Sequence, residues 1–404
     1  MIRRQQDLRR STRRWRKPAA VVTNLESYVG LQTARTLRRH GIPVVALANR
    51  PNAPLCRTRS VEAIFDAGSD GAGTVGVLQE LAPLFPERPV LFPCSDEAVL
   101  AVSAARGGLD YHLVLPDHET IELLTDKSRF LVHASQAGVP VSPFRLLLTR
   151  HDAEAASSAL QYPVVVKPVR KNRVWDERAG QKAVRIFGRD ELLALWDTAM
   201  PDYPVLAQEW VDGGDDQLFA YNGYFDRSGN PMASFVTRKI RQWPPHTGAA
   251  SLGVECRNDE VLESALAIFR SVPFAGFGCL EMKRDARTGR HYAIEANIGR
   301  RAGRSFIAEA GGVELMHTAY CDALGLPLPE ARIQRYGDAK WIYLGKDLAS
   351  AWYYHRRGEL TFGEWWRSIR GPKAYAILSW SDPLPFILDL FSGFIRVRRK
   401  RRRL

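Results

Sequence analysis

The chain has 404 residues, 45% hydrophobic and 25% charged, which is enough apolar material for a large core divided into two or three domains. Its formal net charge of +13 invites a nucleic-acid reading, but residues 1–17 (eight basic, one acidic) and 396–403 (seven basic) hold nearly all of it. The stretch between them is close to neutral, so no basic stripe runs through the folded part and nucleic acid is not an expected partner.

The N-terminal 17 residues read as a solvated basic tail. They lead straight into a predicted strand with no apolar segment after the charges, so no secretion signal is read. From Ala19 the chain alternates buried strand and helix: "PAAVVTN", "SYVGLQTARTLRRHG" stopped at Gly41, and "IPVVALAN" form a βαβ unit. A further strand, "PVLFPC", runs into "SDEAVLAVSAARGG", where Ser95 or Asp96 can cap the next helix. This is a small doubly wound α/β domain. It lacks G-x-G-x-x-G, and its second strand ends in Asn49-Arg50 where a ribose-binding acid is expected, so a dinucleotide is not its ligand.

"TDKSRFLVHASQAGVPVSPFRLL" predicts a helix from Asp126 to Ala137, then a strand. Lys127 falls in that helix's first turn, where a cation is disfavoured unless an anion shares the free N–H groups. The texture then becomes β-rich. "YPVVVKPV" sets Lys167 at the end of a strand just before Pro168, free to reach a ligand or simply to be solvated. The loop "VRKNRVWDERAGQ" beyond it has two open readings, a cover for a polyphosphate or a surface loop. "VLAQEWVDGGDD" breaks at a glycine turn, which exposes main-chain groups of Glu209, Trp210 and Val211 to an adenine edge or forms a plain hairpin. The alternating Arg238, Lys239 and Arg241 read equally as an anionic-acceptor site or as charges on an edge strand.

"CLEMKRDARTGRHYAIEAN" predicts a β-hairpin over the turn "DARTG". Glu295 and Asn297 share a strand face, and the facing strand can bring Glu281 beside them. Two carboxylates and an amide oxygen suit Mg²⁺ or Mn²⁺; the alternative is an ordinary exposed hairpin. After Pro327 the chain is aromatic and basic. Its last apolar run, "PLPFILDLFSGFIRV", contains Asp389 and is too short for the roughly 20 residues of a spanning helix. With the polybasic end after it, this run reads as an interfacial anchor at the inner face of a membrane or as a helix docked on the body. The five cysteines, Cys56, Cys94, Cys256, Cys279 and Cys321, are dispersed and never spaced C-x-x-C. They argue against a disulfide framework or a zinc site and suit a cytoplasmic protein.

Lys127, "VVVKP", "QEWVDGGDD", "LEMK" and "IEAN", in this order, resemble the ATP-grasp superfamily, in particular its carbamoyl-phosphate-synthase-like and carboxylate-amine ligase branch. The resemblance spans roughly residues 18–325. It implies an α/β plus α+β architecture: a Rossmann-like pre-ATP-grasp domain (18–120), a two-lobed ATP-grasp domain (121–325, lid about 145–212) and a C-terminal extension (326–404). It implies ATP and Mg²⁺ as cofactors, with Lys127 and Lys167 on the phosphates, the main chain of Glu209 to Val211 on adenine and Asp216 on the ribose. Glu281, Glu295 and Asn297 match the family's metal ligands. The implied activity is a ligase that converts a carboxylate to an acyl-phosphate and couples it to an amine, the alternatives being an inactive or membrane-tethered nucleotide-binding scaffold of the same fold and, behind it, nucleic-acid binding through the basic tails. Many relatives follow the metal-binding Asn with Pro-Arg, whereas here "NIGRRAGRS" leaves Arg300, Arg301 and Arg304 as candidates for holding the acyl-phosphate.

Overall fold

The alternating N-terminal pattern folds, in the computed structural model, as a five-stranded parallel sheet. Residues 12–68, 70–170, 183–199 and 203–391 are described, with Leu8, Val174 and Trp175. Strands β1 (Ala20–Val22), β2 (Val44–Ala48), β3 (Ala63–Asp66), β4 (Val90–Phe92) and β5 (His112–Leu113) lie in the order β3-β2-β1-β4-β5. β1, β2 and β4 are buried on both faces, as continuous apolar strands of a covered parallel sheet must be. Helix α1 (Tyr28–Arg39) is capped by Ser27, α2 (Gly71–Leu81) by Asp70 and α3 (Asp96–Ala104) by Ser95. Strand order reverses between β1 and β4, and the crevice beyond their ends is where such sheets hold ligands. Asn24 and Ser95 sit at this reversal, joined by a 3.0 Å hydrogen bond to the Asn24 Oδ1.

Helices α4 (His118–Thr125) and α5 (Lys127–Gln136), the second capped by Asp126, lead to a four-stranded antiparallel sheet. Its strands β6 (Phe144–Leu147), β7 (Val164–Pro168), β8 (Val184–Ile186) and β9 (Val205–Glu209) run in the order β6-β9-β7-β8. Helices α6 (Arg150–Ala159) and α7 (Arg189–Ala199) accompany it, and Leu147, Ala153, Val164, Val166, Ile186 and Val205 give it a core of its own. A separate core is what allows one lobe to be positioned as a unit over another.

The central sheet has seven strands. β10 (Leu218–Phe225), β11 (Pro231–Trp243), β12 (Ala249–Glu255), β13 (Gly276–Arg284) and β14 (His291–Ile298) are antiparallel neighbours in the order β14-β13-β10-β11-β12. Helix α8 (Asp259–Arg270) follows β12, and α9 (Ile307–Ala310) and α10 (Leu315–Ala323) follow β14. The C-terminal residues complete the sheet: β15 (Lys340–Ile342) pairs with β12, and β16 (Lys373–Tyr375) pairs with β15, with α11 (Leu344–Arg356) and α12 (Phe362–Ser368) between them. β11 is therefore an interior strand, which corrects the edge-strand reading of its basic residues. Arg241 is buried against Asp347 of α11, with Nε 2.9 Å and Nη2 3.0 Å from the carboxylate.

The ends are less separate than their charge suggests. Leu8 lies in the core, Trp15 packs on Phe85, and Lys17 donates to the His40 carbonyl, so the basic segment is fastened to the body from Thr12 onward. At the other end Asp382 is buried against Arg35 of α1 and accepts from the Arg59 N–H. Residues 392–404, with the polybasic run, and 171–173 and 176–182, most of the loop after β7, lie outside the described residues. Among the described residues no helix is long and apolar enough to cross a membrane.

Candidate active site

Alternation along β13 sends Leu280 and Met282 into the core and Cys279, Glu281 and Lys283 to the other face. In β14, Glu295 pairs with Glu281 and Asn297 with Cys279, and Ile294 is the extra residue of a bulge between the Glu281 and Met282 pairs. Asp285 shapes the turn by accepting the Arg287 and Thr288 N–H groups at 2.9 Å. Glu281, Glu295 and Asn297 thus stand on one face, each half-buried. Directly opposed carboxylates destabilise a ladder unless cations balance them, and an all-oxygen set of this kind fits a hard dication such as Mg²⁺. The Asn297 Oδ1 accepts from Arg300 Nη2 at 2.7 Å, which leaves its second lone pair for an ion.

Cations converge on the same face. Lys167, at the end of β7, is buried and donates to the Gln208 Oε1 of β9 at 3.0 Å. Burial, reinforced by the neighbouring Lys127, pulls its ammonium down to about 8, and Glu295 opposes that shift. Lys127 opens α5, with its Nζ 3.5 Å from the Val169 carbonyl. Lys239 of β11 donates to Gln242 at 2.9 Å; burial lowers it to about 8, against the carboxylates of Glu281, Asp215 and Glu295. Arg304 lays its stem over Gly253 of β12 and brings Nη2 to 3.6 Å from Glu281. Among the described residues its buried Nε and Nη2 have no hydrogen-bond partner, and neither do the Gln208 Nε2 and the Asn222 Oδ1. Of these the Asn222 Oδ1 is an acceptor; the donors, Arg304 Nε and Nη2 and Gln208 Nε2, are expensive to leave unmatched in a folded chain, and a polyanion supplies the acceptors they lack.

The three arginines separate by environment. Arg301 is buried in a structural role: it pairs with Glu309, donates to Ser305 and stacks its guanidinium 4.1 Å over Phe306. Its guanidinium is committed to Glu309, Ser305 and Phe306, which leaves it poorly placed for the acyl-phosphate role expected of it. Arg300 bridges two units, donating to Asn297 and to Asp96 at the start of α3. Gly299 makes this possible. Its φ of +69° is open to glycine and barred to proline, and the turn brings Arg300 back over Asn297. Arg300 thus stands between Asn297 of β14 and Asp96, at the reversal point of the parallel sheet. Arg304 is the third, with the unmatched donors.

At the other end of the face, Trp210 is held between two cations, Arg185 and Lys283, each 4.3 Å from its ring centre. The N–H groups of Glu209 and Trp210 donate to the Pro143 and Pro163 carbonyls at 2.9 Å, and the Glu209 carbonyl accepts from Ser142. This narrows the expected adenine edge to the Trp210 carbonyl and the main chain of Val211. Asp216 is half-exposed and 3.8 Å from Arg238. Its neighbour Asp215 is buried and fixes the sheet instead, accepting from Gln242, the His246 N–H and the Tyr354 hydroxyl.

Several residues of the face escaped the sequence reading. Asn222, in "FAYNGYF", occupies the row Asn297–Cys279–Asn222 across β14, β13 and β10. A lone amide inside an apolar strand was the available signal. Gln208, which orients Lys167, carried the same kind of signal in "VLAQEW". Tyr28 and Asp96 open helices α1 and α3 of the parallel-sheet unit and are placed only by the packing of two units; the Tyr28 ring leaves no room for a Cβ at Gly303.

No family model matches the chain. It is 26% identical over 172 residues to a formate-dependent phosphoribosylglycinamide formyltransferase of Azoarcus sp. (strain BH72), covering 42% of this chain and 40% of that one. To the carbamoyl phosphate synthase large chain of Thermomicrobium roseum it is 22% identical over 329 residues, 78% of this chain and 29% of that one. The chain thus spans well under half the length of these relatives. The biotin carboxylase domain of Hydrogenobacter thermophilus 2-oxoglutarate carboxylase, solved with MgADP, ADP and bicarbonate, superposes with a TM-score of 0.61 at 15% identity, over 78% of this chain and 71% of that one. A parallel sheet, an antiparallel lobe with its own core and a central antiparallel sheet, matched over most of the chain, show that this protein has the ATP-grasp fold.

Proposed function

We propose that the chain is an ATP- and Mg²⁺-dependent carboxylate-amine ligase. The observation that carries this reading is the polar face of β13 and β14, where a cross-strand carboxylate pair is surrounded by the buried cations Lys167, Lys239 and Arg304, the last with two unmatched donor nitrogens. Such a face suits a triphosphate and a dication together, and it contains no nucleophile: burial pushes the Cys279 thiol up to about 12. Glu281, Glu295 and Asn297 would hold Mg²⁺, which supplies charge neutralisation to the transferring phosphoryl group. Lys127 and Lys167 bind phosphate oxygens, and the strand-end main chain at Trp210 and Val211 orients the base. A carboxylate oxygen of the first substrate attacks the γ-phosphorus in line and ADP leaves. The amine then attacks the acyl carbon, phosphate departs, and the amine loses a proton. Arg300 and Arg304, beside the crevice of the parallel sheet, stabilise the charge on the acyl-phosphate.

The test is phosphate release from Mg-ATP by the purified chain against pairs of carboxylates and amines, including amino acids, sugar acids and cell-wall precursors. Glu295→Gln is expected to lower turnover by roughly 10²–10³-fold. Unchanged Mg²⁺-dependent turnover in that variant would overturn the assignment.

A peripheral membrane contact has its own support. Residues 384–391 form a helix whose Leu384, Ile387 and Phe391 are exposed, next to Trp380, which is 88% exposed. In sequence this apolar surface runs into seven basic residues at 396–403, a pairing that suits an anionic lipid surface. The protein is expected to float with vesicles containing phosphatidylglycerol and not with pure phosphatidylcholine, and to lose binding when residues 392–404 are removed. Equal behaviour on both vesicles would exclude the contact. The cysteines are all free, which supports a cytoplasmic setting.

A further inference from the structure

Two histidines far apart in sequence meet where α1 packs on α10. His40 caps the C-terminus of α1, and His317 lies in the first turn of α10. Their rings stack with centroids 4.0 Å apart and planes 17° from parallel. Glu314, the residue that caps α10, brings Oε2 to 2.8 Å from the His317 Nδ1. One donor atom from each of the three lies within 4.8 Å of the other two, and all three residues are half-buried. Among the described residues this is the one group of three or more histidine, cysteine or acidic side chains so gathered.

A neutral imidazole keeps one N–H and has one ring nitrogen with a free lone pair, so the two rings and the carboxylate can offer one donor atom each. Burial, followed by the neighbouring His317, holds His40 below the usual histidine range. The charged groups around the rings are Glu314 and Glu309 on the acidic side and Lys17 on the basic side, the last held by the His40 carbonyl at 2.8 Å.

We propose that His40, His317 and Glu314 form a second metal site, for Zn²⁺ or a similar borderline first-row dication, that fastens α1 to α10. Two imidazole nitrogens and one carboxylate oxygen are a donor set for Zn²⁺ and a poor one for Mg²⁺, which takes oxygen ligands. The chain therefore holds two sites of opposite preference, the oxygen face at Glu281, Glu295 and Asn297 and this nitrogen-rich one. They lie at the two ends of α1. Tyr28 begins the helix and faces Arg304 and Glu281, while His40 ends it, about 18 Å away for a twelve-residue helix. That separation rules out a part in phosphoryl transfer. The ion would instead close the chain between residues 40 and 317 and stabilise the folded state by binding it alone. The cysteine spacing gave no hint of zinc because no cysteine is among the ligands.

The experiment is calorimetric titration of the metal-stripped full chain with ZnCl₂ in excess Mg²⁺, which occupies the oxygen face. One equivalent is expected to bind, with a Zn²⁺-dependent rise in melting temperature. His40→Ala and His317→Ala should each weaken binding by about tenfold or more and abolish that rise. Both residues are half-buried, and metal-free melting curves check that the variants fold. Co²⁺ absorption supplies an independent readout, since its visible bands should change when either histidine is removed. Unchanged affinity in the His40→Ala/His317→Ala double variant, or no Zn²⁺-dependent stabilisation of the parent chain, would overturn the site. Neither result depends on ATP turnover, so the ligase reading stands or falls separately.

Discussion

Lys167 shows how the candidate site trades stability for binding. Its ammonium is buried with an amide as its hydrogen-bond partner, and its folded-state value of about 8 lies below the ordinary 10.5. Between those two values the unfolded chain holds more protons than the folded one, so stability should rise with pH across that window. Below it the charge is present in both states and burial opposes folding in full. Lys167→Met is therefore expected to stabilise the nucleotide-free protein at pH 7, by on the order of 1–3 kcal/mol, with the gain shrinking toward about pH 10. The same change should weaken ATP binding by roughly tenfold or more, because a charge-assisted bond to phosphate is lost. Melting curves at the two pH values and a calorimetric ATP titration check both halves. A variant that is less stable at pH 7, or that binds ATP as tightly as the parent, would show that Lys167 is a packing residue.

At the scale of elements, legibility follows from how local the cause is. The β13–β14 hairpin was readable because turn chemistry, alternation and the Glu295/Asn297 spacing all lie within one short stretch, and register then brings Glu281 opposite Glu295. The bulge at Ile294 was not readable, since nothing in "HYAIEAN" marks it. The interior position of β11 was not readable either, because its second neighbour, β12 in "AASLGVE", is built of small residues and a glycine and lacks a clear alternating strand pattern. The same holds for Arg300: its position depends on Asp96, which opens helix α3 of the parallel-sheet unit. Gly299 connects these levels. A Cβ there would lie 2.5 Å from Leu115 and 3.0 Å from Val99 of α3, in a backbone conformation that side chains rarely adopt. Gly299→Ala is expected to cost roughly 1–3 kcal/mol and to swing Arg300 off Asn297 and Asp96. Denaturant unfolding reads the first effect. If Arg300 assists the reaction, phosphate release should fall further than Mg-ATP affinity, and an equal fall in both would assign Gly299 to folding alone.

The whole molecule is held together by its ends. The parallel sheet and the central sheet share cores: Val21, Val45 and Leu91 pack in one cluster with Tyr221, Leu280 and Met282, and Ala20, Val22 and Phe92 in another with Phe235 and Trp341. Trp341 belongs to β15, so the C-terminal segment contributes to that shared core as well as to the sheet. It also supplies the carboxylates of two buried ion pairs, Asp347 to Arg241 and Asp382 to Arg35. Asp347 additionally accepts from Ser251 and Trp365, and Asp382 from Thr58 and the Arg59 N–H. Removing such a partner leaves an arginine buried without a counter-charge, which is strongly destabilising, by about 3–5 kcal/mol for each pair. Deleting residues 326–404 would do this twice and would also uncover the edge of β12, an invitation to pair with another chain. A chain ending at residue 325, which retains the whole candidate site, is therefore expected to be insoluble or aggregated on expression. A chain ending at residue 391 should keep the melting temperature and ATP affinity of the full protein, because both ion pairs and both strands remain. Size-exclusion chromatography and melting curves of the two truncations decide the matter. A soluble, monomeric 1–325 fragment that still binds ATP would mean that the C-terminal segment is an appendage and that the ATP-binding lobes are stable without it.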